Sequence, residues 1–224
     1  MSMFDEEVYA DMVLKRLKHE KEYNRKDGLY AYTQELMAYR SNKSENFTLS
    51  PEQVVSIFQI SELEHEENAK VNVNDVLAVT NSFLLFDYML YTLPYIDFRF
   101  CEKLTRPLDA KLIHEFEDIT TTRFRPVQHV DIDKEIEIYR SKSPDIKDIV
   151  DLYKTYIRSG GNRRVGRMMM FRECLVNGIF PFIITNDDDD VFDAQKDYFN
   201  DVVDDWSCFG TTGIKDNLGR LKIK

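Results

Sequence analysis

From Glu6 to Leu17 and again from Leu29 to Tyr39, apolar side chains recur at mixed spacings of three and four between charged ones. This is the rhythm of amphipathic helices, and Asp27-Gly28 marks a break between the two. Ser50-Pro51-Glu52-Gln53 reads as a helix start: Ser50 can cap, Pro51 suits the first helical position, and Gln53 completes a capping box ahead of Val54, Val55, Ile57 and Phe58. Asn74 or Asn72 opens a long helix containing Val76 to Tyr91, whose near-continuous apolar character predicts burial on most sides. After a break around Leu93 to Pro107 comes a helix from Leu108 to Ile119. The run Thr120 to Asp133 leans towards β structure through Thr120-Thr121-Thr122, Phe124, Val127, Val130 and Ile132, split by Pro126, and predicts a short hairpin or extended flap. Ser143-Pro144-Asp145 starts a helix reaching about Arg158. A glycine-bearing loop then hands over to a second helix from about Asn162 to Val176, which Asn177-Gly178 stops. The expected fold is mostly α, a helical bundle with a short β-hairpin flap.

Composition narrows the function classes. The 224 residues suit one domain or a domain with a small appendage, and 43% hydrophobic residues predict a packed body. A formal charge of −10 disfavours nucleic acid as a partner, because nonspecific binding there rests on a basic footprint. Cys101, Cys174 and Cys208 are widely spaced and outside any CxxC pattern, which fits a reducing, cytoplasmic setting and no zinc site. Met1 to Val8 is acidic, unlike a signal peptide, and the most apolar stretch, Phe83 to Ile96, is too short and too interrupted to cross a bilayer. Asp187 to Asp190 lacks the glycine and glutamate spacing of a calcium loop and reads better as the cap of a following helix. The residues from Trp206 to Lys224 read as a loosely docked extension.

The chemistry that stands out is in Tyr156 to Arg167. Glycine and asparagine tolerate the positive-φ backbone that turns N–H groups toward an anion, and Arg164 and Arg167, three apart, fall on one side of the following helix. No His, Asp, Glu or Cys occurs from Tyr153 to Arg167, so the segment offers neither a general base nor a metal-holding carboxylate. It promises binding of phosphate more than turnover. His19, His65 and His114 have no metal-ligand spacing, His129 in the expected flap is an alternative base, and Met168-Met169-Met170 read as core.

This loop, followed by Met168 to Leu175 and by Gly178-Ile179-Phe180-Pro181-Phe182-Ile183-Ile184, resembles the Fic family of AMP-transferring proteins (filamentation induced by cyclic AMP), whose signature is His-x-Phe-x-Asp/Glu-Gly-Asn-Gly-Arg-x-x-Arg. Gly161, Asn162, Arg164 and Arg167 match it. Tyr156 stands at the catalytic His position, Arg158 at the Phe, Gly160 at the acidic residue and Arg163 at the second Gly. Upstream, Ser41-Asn42-Lys43-Ser44-Glu45-Asn46 resembles the family's inhibitory motif, Ser/Thr-x-x-x-Glu-Gly/Asn, which implies a pairing of Glu45 with Arg167. Asn81-Ser82-Phe83 and Asp87-Tyr88-Met89 look like the family's first core helix. The resemblance implies an N-terminal helical segment with the inhibitory motif (residues 1–48), a Fic-like core (49–205) and a C-terminal extension (206–224), with residues 122–133 as a target-docking flap.

What the resemblance implies about activity is divided. The family's His deprotonates a target hydroxyl that attacks the α-phosphate of ATP while the acidic residue holds Mg²⁺. A phenol with a pKa near 10 is a poor base, and loss of a positioned base removes on the order of 10²- to 10⁴-fold in rate. Gly160 cannot ligate a metal, so Mg²⁺ has no holder there. The expectation is therefore a degenerate Fic-fold protein, weak or inactive in AMP transfer, with Gly161, Asn162, Arg163, Arg164 and Arg167 as phosphate- or ATP-binding residues and Ser41, Glu45 and Asn46 as the inhibitory set. It would act by occupying a partner protein or a nucleotide. The rival is an active nucleotidyl- or phosphotransferase resembling the Doc branch, whose basic residue at the Arg163 position accompanies phosphate transfer to a protein hydroxyl. A third reading is a structural domain whose basic loop is filled by Glu45.

Overall fold

The computed structural model describes residues 3–43, 45, 47–63, 71–93, 105–121 and 131–206, with side chains from residue 7 to residue 202 of these. The described residues are mostly helical and contain no strand. Their elements in chain order are α1 (Met3–Glu22), α2 (Leu29–Lys43), α3 (Pro51–Ile60), α4 (Val73–Thr92), α5 (Ala110–Thr120), α6 (Asp133–Arg140), α7 (Ile146–Arg158), α8 (Arg163–Val176) and α9 (Val191–Trp206). Residues 122–130 of the expected β-hairpin flap (120–133) lie outside the described residues, as do residues 207–224 of the expected extension; at the flap's described ends Thr120 belongs to α5 and Asp133 to α6. No helix among the described residues is long and apolar enough to cross a membrane.

The chain divides into two compact units. One comprises Met1–Lys15 and Leu84–Pro181, the other Arg16–Phe83 and Phe182–Lys224. The boundaries between the two fall within α1 and α4 and after Pro181. In the first unit α8 packs on α7 and α5, and α6 packs on α7. Phe86, Phe116, Tyr153, Tyr156, Phe171 and Phe180 are buried there, and the Phe86 and Phe171 rings lie 5.9 Å apart. In the second unit Ala38, Tyr39, Leu49, Val54 and Val79 form a core against which Phe47, Ile57 and Phe83 pack.

The helix ends follow local chemistry. Ser50 Oγ accepts from Gln53 N–H at 3.3 Å while Gln53 Oε1 accepts from Ser50 N–H at 2.9 Å, the expected capping box. Asp145 and Asp148 make the equivalent box at the start of α7. Of the two asparagines proposed for α4, Asn72 does the capping, its Oδ1 accepting from Asn74 N–H at 3.0 Å. Asp190 Oδ1 accepts from Phe192 N–H at 2.8 Å and Asp193 N–H at 3.1 Å, so the acidic run caps α9. Gly178, with φ 69, closes α8 as Ile179 N–H reaches Cys174 O at 2.9 Å. Helix α6 was not expected. Only Ile136 and Tyr139 of its eight residues are buried, too few for a periodic signal, and what anchors Tyr139 is a remote partner, Glu173.

Candidate functional site

Only residues 159–162 separate α7 from α8. Gly160 has φ +94, its N–H donates to Ile157 O at 3.0 Å, and Gly161 N–H donates to Tyr156 O at 3.0 Å. This pair of bonds closes a helix around a left-handed glycine and satisfies the carbonyls that α7 would otherwise leave bare. The glycine N–H groups that a phosphate cradle would present are spent on α7. Asn162 then caps α8. Its Oδ1 accepts from Arg164 N–H at 2.9 Å, and its Nδ2 donates to Thr120 Oγ1 at 3.2 Å.

Tyr156 accounts for the remaining donor. The phenol is fully buried, donates to Glu117 Oε1 at 2.7 Å and accepts from Asn162 N–H at 3.2 Å. Its ring lies so close to the turn that a Cβ on Gly161 would stand 2.4 Å from Tyr156 Cζ. Gly166, one turn into α8, admits Tyr153 in the same way, with a would-be Cβ 2.7 Å from that ring. Burial, then the hydrogen bond to Glu117, pushes the Tyr156 phenol up, and the Asn162 N–H opposes this more weakly. The phenol therefore keeps its proton, and a protonated phenol is a poor general base.

The three arginines separate. Arg163, at the first position of α8, is exposed, whereas Arg164 and Arg167 are 4% and 2% exposed. Gly160 is exposed with open space where a side chain would stand. The structure therefore brings Tyr156, Gly160, Gly161, Asn162, Arg163, Arg164 and Arg167 together in one helix–turn–helix of the first unit.

The residues of the inhibitory motif lie in the second unit. Ser41 and Asn42 are buried in the last turn of α2. Asn42 Nδ2 donates to Ala38 O at 2.7 Å and to Ser82 Oγ at 3.2 Å, while Ser41 Oγ donates to Met37 Sδ at 3.4 Å. Glu45 is half-buried with its N–H on Asn42 O at 2.9 Å. Asn46 lies outside the described residues, as do His65 and His129.

Two polar groups of the first unit escaped the sequence reading. Glu117, the carboxyl beneath Tyr156, is wholly buried on α5. Its signal was present as a charged residue on the same helical face as Ile113, Phe116 and Thr120. Glu173 and Arg172 form a buried ion pair. Arg172 Nε donates to Thr92 Oγ1 at 3.2 Å, and Tyr139 OH donates to Glu173 Oε2 at 3.0 Å. Burial pushes the Glu173 carboxyl up and the Arg172 cation opposes it.

Among the described residues no group of three His, Cys, Asp or Glu side chains is placed to hold a metal. The Asp189 carboxylate is engaged locally, its Oδ2 accepting from Thr185 N–H at 2.7 Å and Asn186 N–H at 2.8 Å. No protein-family model matches the chain, and no curated protein matches it.

Proposed function

We propose that this chain is a degenerate Fic-fold protein that does not transfer AMP, and that it acts by binding a partner protein, with its signature loop kept as a structural joint. One observation carries the reading: the Tyr156 hydroxyl, at the position of the family's base, is hydrogen-bonded to Glu117 and to the Asn162 N–H that an anion would use. A side chain in that role stabilises the turn and offers neither a proton acceptor nor an open donor. Gly160 adds no carboxylate, so Mg²⁺ has no holder at the corresponding place.

The test is incubation of the full chain with labelled ATP and cell lysate, for the native sequence and for Glu45→Gly, which removes the acid of the inhibitory motif. Neither form labels a protein above a heat-denatured control; robust transfer by either one overturns the reading. Arg163 supports a second reading, because an exposed guanidinium beside an open Gly160 is suited to clamping phosphate from outside the turn. Calorimetric titration with ATP, ADP and AMP, with and without Mg²⁺, separates the two. Metal-dependent binding abolished by Arg163→Ala favours a phosphotransferase; flat titrations favour the partner-binding module.

A further inference from the structure

Glu35 is buried on α2 at 7% exposure, and one donor among the described residues reaches its carboxyl: Gln59 Nε2 of α3, 3.2 Å from Oε1. That amide also leans on Lys26 O at 3.5 Å. The charged group acting on Glu35 is Lys26, from the turn between α1 and α2. Its ammonium is committed elsewhere. It donates to Phe58 O near the end of α3 at 2.9 Å and sits 4.0 Å from the Phe58 ring centroid. A buried carboxylate needs several donors or a close cation, so a carboxyl with one long amide contact is better accommodated as the neutral acid.

We propose that Glu35 makes the α2–α3 seam a proton-responsive latch, closed while its carboxyl is neutral and loosened when the carboxyl ionises and draws Lys26 off the Phe58 carbonyl. Burial pushes Glu35 up to about 7, against the weaker pull of Gln59 and Lys26, which puts the transition near neutrality. The sign follows from linkage. The unfolded carboxyl ionises at lower pH than the folded one, so the seam is at full strength at acid pH, weakens as pH rises towards the folded pKa and is constant above it. Because α2 ends at the segment holding Ser41 and Glu45, the latch would govern how firmly that segment is held.

Two measurements on the full chain test it. Side-chain carboxyl NMR should find one glutamate titrating within about a unit of pH 7 that is absent from Glu35→Gln, which mimics the neutral acid. Amide exchange of residues 51–60, corrected for intrinsic rates, should show opening that rises roughly tenfold to a hundredfold between pH 5 and pH 8 in the native chain and stays flat in Glu35→Gln. The absence of any titration near pH 7 that Glu35→Gln removes, or equal opening in both chains, overturns the proposal.

Discussion

Glu117 and Glu35 are both buried glutamates on helices, one in each unit, yet they are accommodated in opposite ways. Glu117 accepts a hydrogen bond from a fully buried phenol at 2.7 Å, and that phenol in turn accepts from Asn162 N–H, so each polar group supports the next. Glu35 has a single amide at 3.2 Å and a lysine engaged with a backbone carbonyl. The first arrangement locks a turn. The second leaves a carboxyl whose charge state the surroundings barely support. Burial alone is therefore a poor guide to what a polar residue does, and the partner set decides.

The largest break in this comparison is Tyr156→Ala. Removing a buried aromatic costs about 3–5 kcal/mol, and here it also strips Glu117 and the Asn162 N–H of their shared partner. Thermal unfolding should fall by on the order of 10 °C. Inorganic phosphate at about 10 mM should not restore it, since the Gly160 and Gly161 N–H groups stay on α7. Recovery by phosphate would mean that the turn is an anion cradle with tyrosine as its lodger. Gly166→Ala comes next. A methyl there meets the Tyr153 ring at 2.7 Å and the Tyr156 ring at 3.2 Å, and both rings are enclosed, so a loss of about 1–3 kcal/mol in urea unfolding is expected.

The helices were legible because their signals are local: a capping box at Ser50, an aspartate cap at Asp145, and glycines after Arg158 and Val176. The turn between α7 and α8 was legible in its residues but not in its hydrogen bonding. Gly160, Gly161 and Asn162 look the same in sequence whether they cradle a phosphate or end one helix and cap the next. What distinguishes the two is Tyr156 folding back onto Asn162, together with Glu117, thirty-nine positions from Tyr156 along the chain. Helix α6 was missed for the same reason, because Tyr139 is fixed by Glu173, thirty-four residues away. Of the stretch 120–133 where the hairpin flap was expected, residues 122–130 lie outside the described residues.

Tyr156→Phe and Glu35→Gln sharpen the comparison, since each is nearly isosteric and they should differ in sign at pH 8. The phenylalanine leaves a buried carboxyl and a half-buried N–H without the hydroxyl, at about 1–3 kcal/mol. The glutamine removes a charge that the fold holds badly. With the Glu35 carboxyl pushed up to about 7, the ionisation cost is present above neutrality and absent below the unfolded pKa. Glu35→Gln should therefore stabilise by about 1–2 kcal/mol at pH 8 and by nearly nothing at pH 4.5. Urea midpoints at the two pH values measure both variants. Destabilisation by Glu35→Gln at pH 8 would show that its carboxylate is welcome and would erase the contrast.

The smallest expected effect isolates the turn itself. Gly160 carries the positive φ, and a Cβ on it would meet nothing within 4 Å, so Gly160→Ala pays only the strain of a left-handed backbone, about 1 kcal/mol. Gly161 has the opposite problem: its methyl would run into the Tyr156 ring. In a double-mutant cycle with Tyr156→Ala, the Gly160→Ala penalty should add within about 0.5 kcal/mol, while the Gly161→Ala penalty should largely vanish once the ring is gone. The two adjacent glycines then separate cleanly into one kept for backbone geometry and one kept for tyrosine. Equal coupling of both to Tyr156 would mean that the turn moves as a unit when the ring is removed, and that the ring, more than the left-handed glycine, holds the end of α7 in place.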